Sequence, residues 1–478
     1  MGQTRPYLYY DVVISICSTC YRRVDGKVLF EEDNVYLVKR CPEHGVERVL
    51  LADDIDYYRR CREVFIKRPE MPMRYNTPVK WGCPYDCGLC TDHEQHSCLS
   101  IVEITDHCNL QCPVCYASSG PSRPGYRSLA QIERMLDAII RNEGEADVVQ
   151  ISGGEPTLHP DFFAVLDLAK ARPIKHLMVN TNGVRIANDA AFADRLAAYR
   201  AGFEVYLQFD SLEVQPLLAL RGADLRQIRA KALERLNHLG LSTTLVVTLK
   251  KGLNDGEVGR IIDYALQQPC VRGITFQPIQ VAGRLEGFNP ATDRLTLTEV
   301  RRKILEQSSV FRPEDIVPVP CHPDSIAMAY AIKVHGQVKP LTSLIDPQVL
   351  IDGGRNTIVF EKDEAVRDSL FRLLATNHSP QSQAASLRDL LCCLPRAAIP
   401  EGIGYQNLFR IIIMQFIDAY SFDVRSVKKT CVHIVHPDGR LIPFDTYNLF
   451  YRDDLEQTRL APLRQAQEAA SQMLTERR

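Results

Sequence analysis

The sequence predicts an α/β protein: six strand-helix units curled into a partial parallel barrel, with a small metal-binding ribbon ahead and an α+β domain behind. Three observations carry this. Strand-like and helix-like stretches alternate six times over about 180 residues, the pattern of a parallel sheet. Eleven of the 16 cysteines lie between Cys17 and Cys115. The segments "CNLQCPVCY", "GGEP", "NTNG" and "QFDS" each follow one of the first four strands, and functional groups of parallel folds collect at that rim. The chain divides into a ribbon (1–75), a second cysteine segment (76–100), the barrel (101–290) and a C-terminal domain (291–478).

Composition narrows the classes. The 478 residues are 45% hydrophobic and 24% charged, with a net charge of −2, ordinary for a globular protein. No long basic run invites nucleic acid. No segment reaches the roughly 20 apolar residues of a membrane span. The N-terminus lacks a signal-peptide pattern, and Pro6 spoils a myristoylation match. A cytoplasmic location is expected. In that reducing compartment, clustered cysteines bind metal or do chemistry more often than they form disulfides.

The first element pairs "CSTC" (Cys17, Cys20) with "CPEHG" (Cys41, His44). Two knuckles of soft ligands describe a tetrahedral site for zinc or iron, with Cys61 competing for the fourth position. Between them "GKVLF" and "NVYLVKR" read as a hairpin of the zinc-ribbon or rubredoxin kind. The second element, "WGCPYDCGLCTDHEQHSC", offers Cys83, Cys87, Cys90 and Cys98; the third, "EITDHCNLQCPVCYAS", offers Cys108, Cys112 and Cys115. Pro84, Gly88 and Pro113 argue against regular helix. Each is better read as a loop wrapping an iron-sulfur cluster. His93 or His96 could replace Cys98 as the fourth ligand of the former.

The barrel strands are expected at 101–105, 147–152, 176–180, 203–208, 243–249 and 273–277. Ser128 and Gln131 stand at capping-box spacing ahead of the first helix. In the C-terminal part, "YQNLFRIIIMQFIDAY" (405–420) reads as a long apolar helix, packing the C-terminal domain on the barrel or lining an alkyl tunnel.

Together these motifs, in this order on these strands, resemble the radical S-adenosylmethionine (SAM) superfamily over about residues 100–290. The resemblance implies that Cys108, Cys112 and Cys115 hold a [4Fe-4S] cluster with one open iron for SAM. The reduced cluster then yields a 5′-deoxyadenosyl radical that takes hydrogen from an unactivated carbon. It further implies that Gly153, Gly154 and Glu155 meet the SAM amino group. Asn180, Asn182, Gln208 and Asp210 would contact ribose or carboxylate, and Tyr116 would flank the adenine.

The ribbon and "CPYDCGLCTDHEQHSC" resemble the tetraether lipid synthase-type family, members of which are also described as pterin-precursor methylases. "KKTCVHIVHPDGRLIPFDTYNLFYR" carries that likeness to about residue 455. The family implies one or two auxiliary [4Fe-4S] clusters, a mononuclear iron or zinc, and reduced flavodoxin or ferredoxin as electron donor. It also implies a small-molecule or lipid substrate, with peripheral membrane contact for a lipid. Asp445 and Ser325 stand where the family often has cysteine. A C-terminal cluster would therefore draw on Cys321, Cys392, Cys393 and Cys431, with a carboxylate or histidine as substitute. Cys392 and Cys393 read equally as core residues at a helix end. The activity expected is hydrogen abstraction followed by carbon–carbon bond formation between lipid chains. Methylation of a pterin, peptide modification and a non-catalytic zinc-ribbon adaptor are the alternatives. With no room for a cobalamin domain, methylation needs another route for its carbon.

Overall fold

The computed structural model describes residues 5–123, 125–334, 337–343 and 407–476; Cys392 and Cys393 lie outside them. Four antiparallel strands form the ribbon in sequential order: β1 (Leu8–Ile16), β2 (Arg23–Glu31), β3 (Asn34–Cys41) and β4 (Gly45–Ala52). Alternation along β2 and β3 buries Val28, Phe30, Val35 and Leu37 against Val13 and Tyr58, as period-two side chains on a half-buried sheet do. Lys39 is buried beneath the ribbon. Its Nζ donates to the carbonyls of Ile16 (2.8 Å), Ala419 (2.6 Å) and Tyr420 (3.0 Å), tying the ribbon to the C-terminal part of the chain.

The six expected barrel strands all form. They are β5 (Leu99–Thr105), then, past the two-residue β6 (Val114–Cys115), β7 (Ala146–Gly153), β8 (Ile174–Thr181), β9 (Phe203–Gln208), β10 (Thr243–Leu249) and β11 (Val271–Pro278). Every residue of β5 is buried, because the sheet is covered on both faces. The helix Leu129–Glu143 starts at the expected capping box of Ser128 and Gln131. It lays Ile132, Leu136 and Ile139 on the outer face of the sheet; truncating such a residue to Ala costs about 2–5 kcal/mol. Ile101, Val148, Met178, Tyr206 and Val246 fill the inner face.

The sheet does not stop at six strands. β12 (Arg284–Leu285) pairs with β6, and five further strands join the main sheet: β13 (Val317–Pro318), β14 (Ile326–Val334), β15 (Gln337–Pro340), β16 (Leu408–Met414) and β17 (Val432–Val435), with β18 (Leu441–Pro443) at its edge. β16 runs parallel to β11, and β17 runs parallel to β5, so both flanks of the barrel are extended by C-terminal strands. β16 corrects the helix expected at 405–420. A short apolar run such as "LFRIIIM" satisfies helix and buried strand alike. Three consecutive isoleucines, stiff at χ1, favour the strand, and a free strand edge at β11 accepts it. No helix among the described residues is long and apolar enough to cross a membrane.

Candidate functional site

A cavity of about 1270 Å³, counting its solvent-open mouth, occupies the rim and lumen of the barrel. Cys108, Cys112, Cys115, Tyr116, Gly153, Gly154, Glu155, Asn180, Asn182 and Gln208 all line it. The loop carrying Cys108 is seated on the double glycine. Gly154 N donates to Thr105 O at 2.7 Å and Glu155 N to His107 O at 2.9 Å. A Cβ at Gly153 would overlap the Thr105 carbonyl, one at Gly154 would overlap that of His107, and Gly153 has φ +122°. Glycine is therefore required for the two backbones to lie side by side. Glu155 is buried and spends its carboxylate on the protein. It accepts from Thr157 N and Oγ1 (3.2 and 2.6 Å), Thr181 Oγ1 (2.7 Å) and Asn182 N (2.7 Å). It locks the ends of β7 and β8 together around the cavity.

Asp210 is not on the cavity wall, which corrects its expected role as a SAM contact. Fully buried at φ +68°, it accepts from Arg221 Nε and Nη2 at 2.8 and 2.6 Å. The residue that reaches the cavity is Arg221 itself. It also donates to Val114 O and Thr248 Oγ1 and, with the Gln208 amide oxygen turned toward it, donates to that oxygen at 2.8 Å. The sequence reading missed Arg221, whose only signal is its place on the helix after "QFDS". Its guanidinium favours the thiolate of Cys112 against burial, which pushes that thiol up; burial carries Cys108 to about 12. Asn182 reaches from β8 to Asn109 Oδ1 at 2.7 Å. Tyr116 packs its ring 5.0 Å from Phe444, which stacks on Phe416 at 4.0 Å.

The other cysteines sort by spacing. Among the described residues, Cys17, Cys20, Cys41 and His44 form one group whose ligand atoms all lie within 4.8 Å of one another, and Cys98, Cys321 and Cys431 form another; neither Cys108–Cys112–Cys115 nor Cys83–Cys87–Cys90 is so compact. In the ribbon, His44 Nδ1 is 3.6 Å from Cys17 Sγ and 3.4 Å from Cys41 Sγ, and Cys20 Sγ is 3.8 Å from Cys41 Sγ. Ligands about 2.3 Å from one tetrahedral atom sit ~3.8 Å apart, so this set fits a single ion. His44 draws Cys41 down to about 6, while burial pushes Cys20 up to about 11. Cys61 is not in the set; it is buried in the helix Ile55–Glu63 within the main core.

Cys83 and Cys87 stay together with Cys90 nearby. Asp86 holds their turn by accepting from Lys80 N (2.6 Å) and Gly82 N (2.8 Å). Cys98 leaves that group, a second correction: seven residues of intervening chain carry it to the start of β5, beside Cys321 and Cys431. His93 does not replace it, since its Nε2 bonds Thr430 O at 2.9 Å. Asp445 is likewise occupied, accepting from Ile417 N and Thr430 Oγ1.

The chain is similar to several known proteins. Residues 102–265 match the radical SAM superfamily, and residues 9–53 match the HMPTM N-terminal zinc ribbon domain. The chain is 32% identical to 7,8-dihydro-6-hydroxymethylpterin dimethyltransferase of Methanocaldococcus jannaschii, over 94% of this chain and 96% of that protein. It is 27% identical to GTP 3′,8-cyclase of Pectobacterium atrosepticum, over 47% of this chain and 68% of that one. The crystal structure of Streptococcus suis SuiB bound to precursor peptide SuiA aligns with a TM-score of 0.37 at 18% identity, over 44% of this chain and 45% of that one. The end-to-end match to the archaeal protein, with the superfamily match over the barrel, makes this chain a radical SAM enzyme of the family to which that dimethyltransferase belongs.

Proposed function

We propose that this enzyme methylates a reduced pterin at an unactivated carbon, with Cys108, Cys112 and Cys115 holding the [4Fe-4S] cluster that the superfamily implies. The observation that carries this is the end-to-end similarity to an enzyme named for a pterin substrate. The cavity supports it. Its wall includes the amides of Gln150, Asn180, Gln277 and Gln280 and the stacked Phe416 and Phe444. A flat heteroaromatic ring with donors and acceptors on its edge suits such a lining better than an alkyl chain does. The Gln280 Oε1 atom is buried without a partner among the described residues, so a donor from a bound ring would satisfy it. The helix expected to line an alkyl tunnel is instead strand β16.

The residues fit the cluster and SAM that the superfamily implies. Three thiols, those of Cys108 and Cys112 buried, line one cavity and are too widely spaced to share a single ion, and the Arg221 guanidinium favours the thiolate of Cys112. When bound, cluster and SAM supply the 5′-deoxyadenosyl radical. The protein's part is to position and shield. Gly153 and Gly154 seat the Cys108 loop, and Glu155 fixes the rim. Tyr116 covers the inner wall, and Asp210 aims Arg221. Incubating anaerobic enzyme with reductant, methyl-labelled SAM and 7,8-dihydro-6-hydroxymethylpterin tests the reading. Pterin-dependent 5′-deoxyadenosine and a pterin heavier by one or two methyl groups are expected. Unchanged pterin, with linked chains appearing in lipid extracts instead, would replace it with the coupling reaction.

A further inference from the structure

Cys98 immediately precedes β5 and Cys431 immediately precedes β17, two parallel neighbours in register at Leu99 and Val432. Leu99 N donates to Cys431 O at 3.1 Å. Cys321 arrives from the turn between β13 and β14, at the other end of the sheet. Six strands separate β14 from β5 along the sheet order, yet Cys321 Sγ is 3.4 Å from Cys431 Sγ, and all three thiols are buried. Curling alone brings the two ends near; three soft donors converge where they meet.

Their spacing selects what they can hold. Each thiolate of a cubane binds a different iron, so neighbouring ligand sulfurs are parted by an iron–iron edge and two outward bonds. That is well beyond the ~3.8 Å expected around one tetrahedral atom. The thiols here, mutually within 4.8 Å, match the second geometry. A disulfide leaves one thiol over, and 3.4 Å far exceeds its ~2.05 Å bond. Beside Cys98, His96 Nε2 stands 3.5 Å from the sulfur while its Nδ1 faces Glu143 at 3.0 Å. A carboxylate that takes the Nδ1 proton leaves Nε2 as a donor atom, the usual second-shell arrangement of a zinc histidine.

We propose that Cys98, Cys321 and Cys431 bind one zinc ion, with His96 flanking the fourth position, and that this ion clasps the two ends of the barrel sheet. This replaces a C-terminal auxiliary cluster with a structural site that does no redox chemistry. It lies at the amino end of β5, opposite the end that leads to Cys108. Ion binding deprotonates the three thiols and releases their protons to solvent.

The test is metal and sulfide analysis of anaerobically purified wild type and Cys321→Ser. The variant should lose one zinc equivalent and keep its iron and acid-labile sulfide. Loss of about four irons with unchanged zinc would show a cluster there and overturn the proposal, as would no change in any metal. A second arm needs no variant. Wild-type protein is alkylated before and after zinc removal by a chelator, then mapped by peptide mass. Cys98, Cys321 and Cys431 should be labelled only after zinc leaves; labelling of all three in the untreated, zinc-replete protein would overturn the site.

Discussion

Two kinds of cysteine set occupy this chain. Cys108, Cys112 and Cys115 are close in sequence and open in space, ranged around a cavity with polar residues from five strands. Cys98, Cys321 and Cys431 are scattered in sequence and compact in space. A loop with short spacings can build its cluster site almost alone, and the barrel only has to carry it to the rim. A set gathered from three distant segments forms only after the sheet has curled. Local motifs therefore announce chemistry, while dispersed thiols announce closure.

The largest effect should come from the open set. Replacing Cys108, Cys112 and Cys115 with Ala should bring reductive SAM cleavage below detection, measured as 5′-deoxyadenosine, with little change in folding. Residual cleavage near wild type would move the cofactor elsewhere. Next comes the support beneath it. Asp210→Ala leaves the Arg221 guanidinium buried without its partner, which costs about 3–5 kcal/mol in comparable buried pairs. Denaturant unfolding should show that loss, and Asp210→Ala with Arg221→Ala together should cost less than the sum. Gly154→Ala pushes a methyl group into the His107 carbonyl. We expect ~1–3 kcal/mol of destabilisation from overpacking and a weakened SAM affinity by equilibrium binding. The smallest effect is remote from both sets. Ser128→Ala removes a helix cap worth about 1 kcal/mol, and its metal content should match wild type. A change in iron there would mean that the two sets are less separable than their geometry indicates.

Much of the fold was legible because its signals are local. The barrel strands are β-branched runs bounded by turns, and Ser128 with Gln131 marked a helix start that forms as read. The rim motifs were legible for the same reason. What escaped depends on tertiary packing. Asp210 reads as a polar rim residue, but its partner Arg221 lies eleven positions on, and only the fold shows that the acid points inward. Cys98 stands near Cys90 in sequence, yet the chain carries it to β5. The stretch around Ile411–Ile413 has no periodicity to separate helix from strand. Its assignment came from the vacant edge of β11, which no local pattern encodes.

Acid-labile sulfide per chain tests the division into open and compact sets most directly, because cubanes contain it and single-ion sites do not. With cubanes only at Cys108–Cys112–Cys115 and Cys83–Cys87–Cys90, fully reconstituted protein should contain about eight sulfides. About twelve would place a third cluster on the compact thiols, and about four would remove the cluster at Cys83–Cys87–Cys90; either would contradict the account.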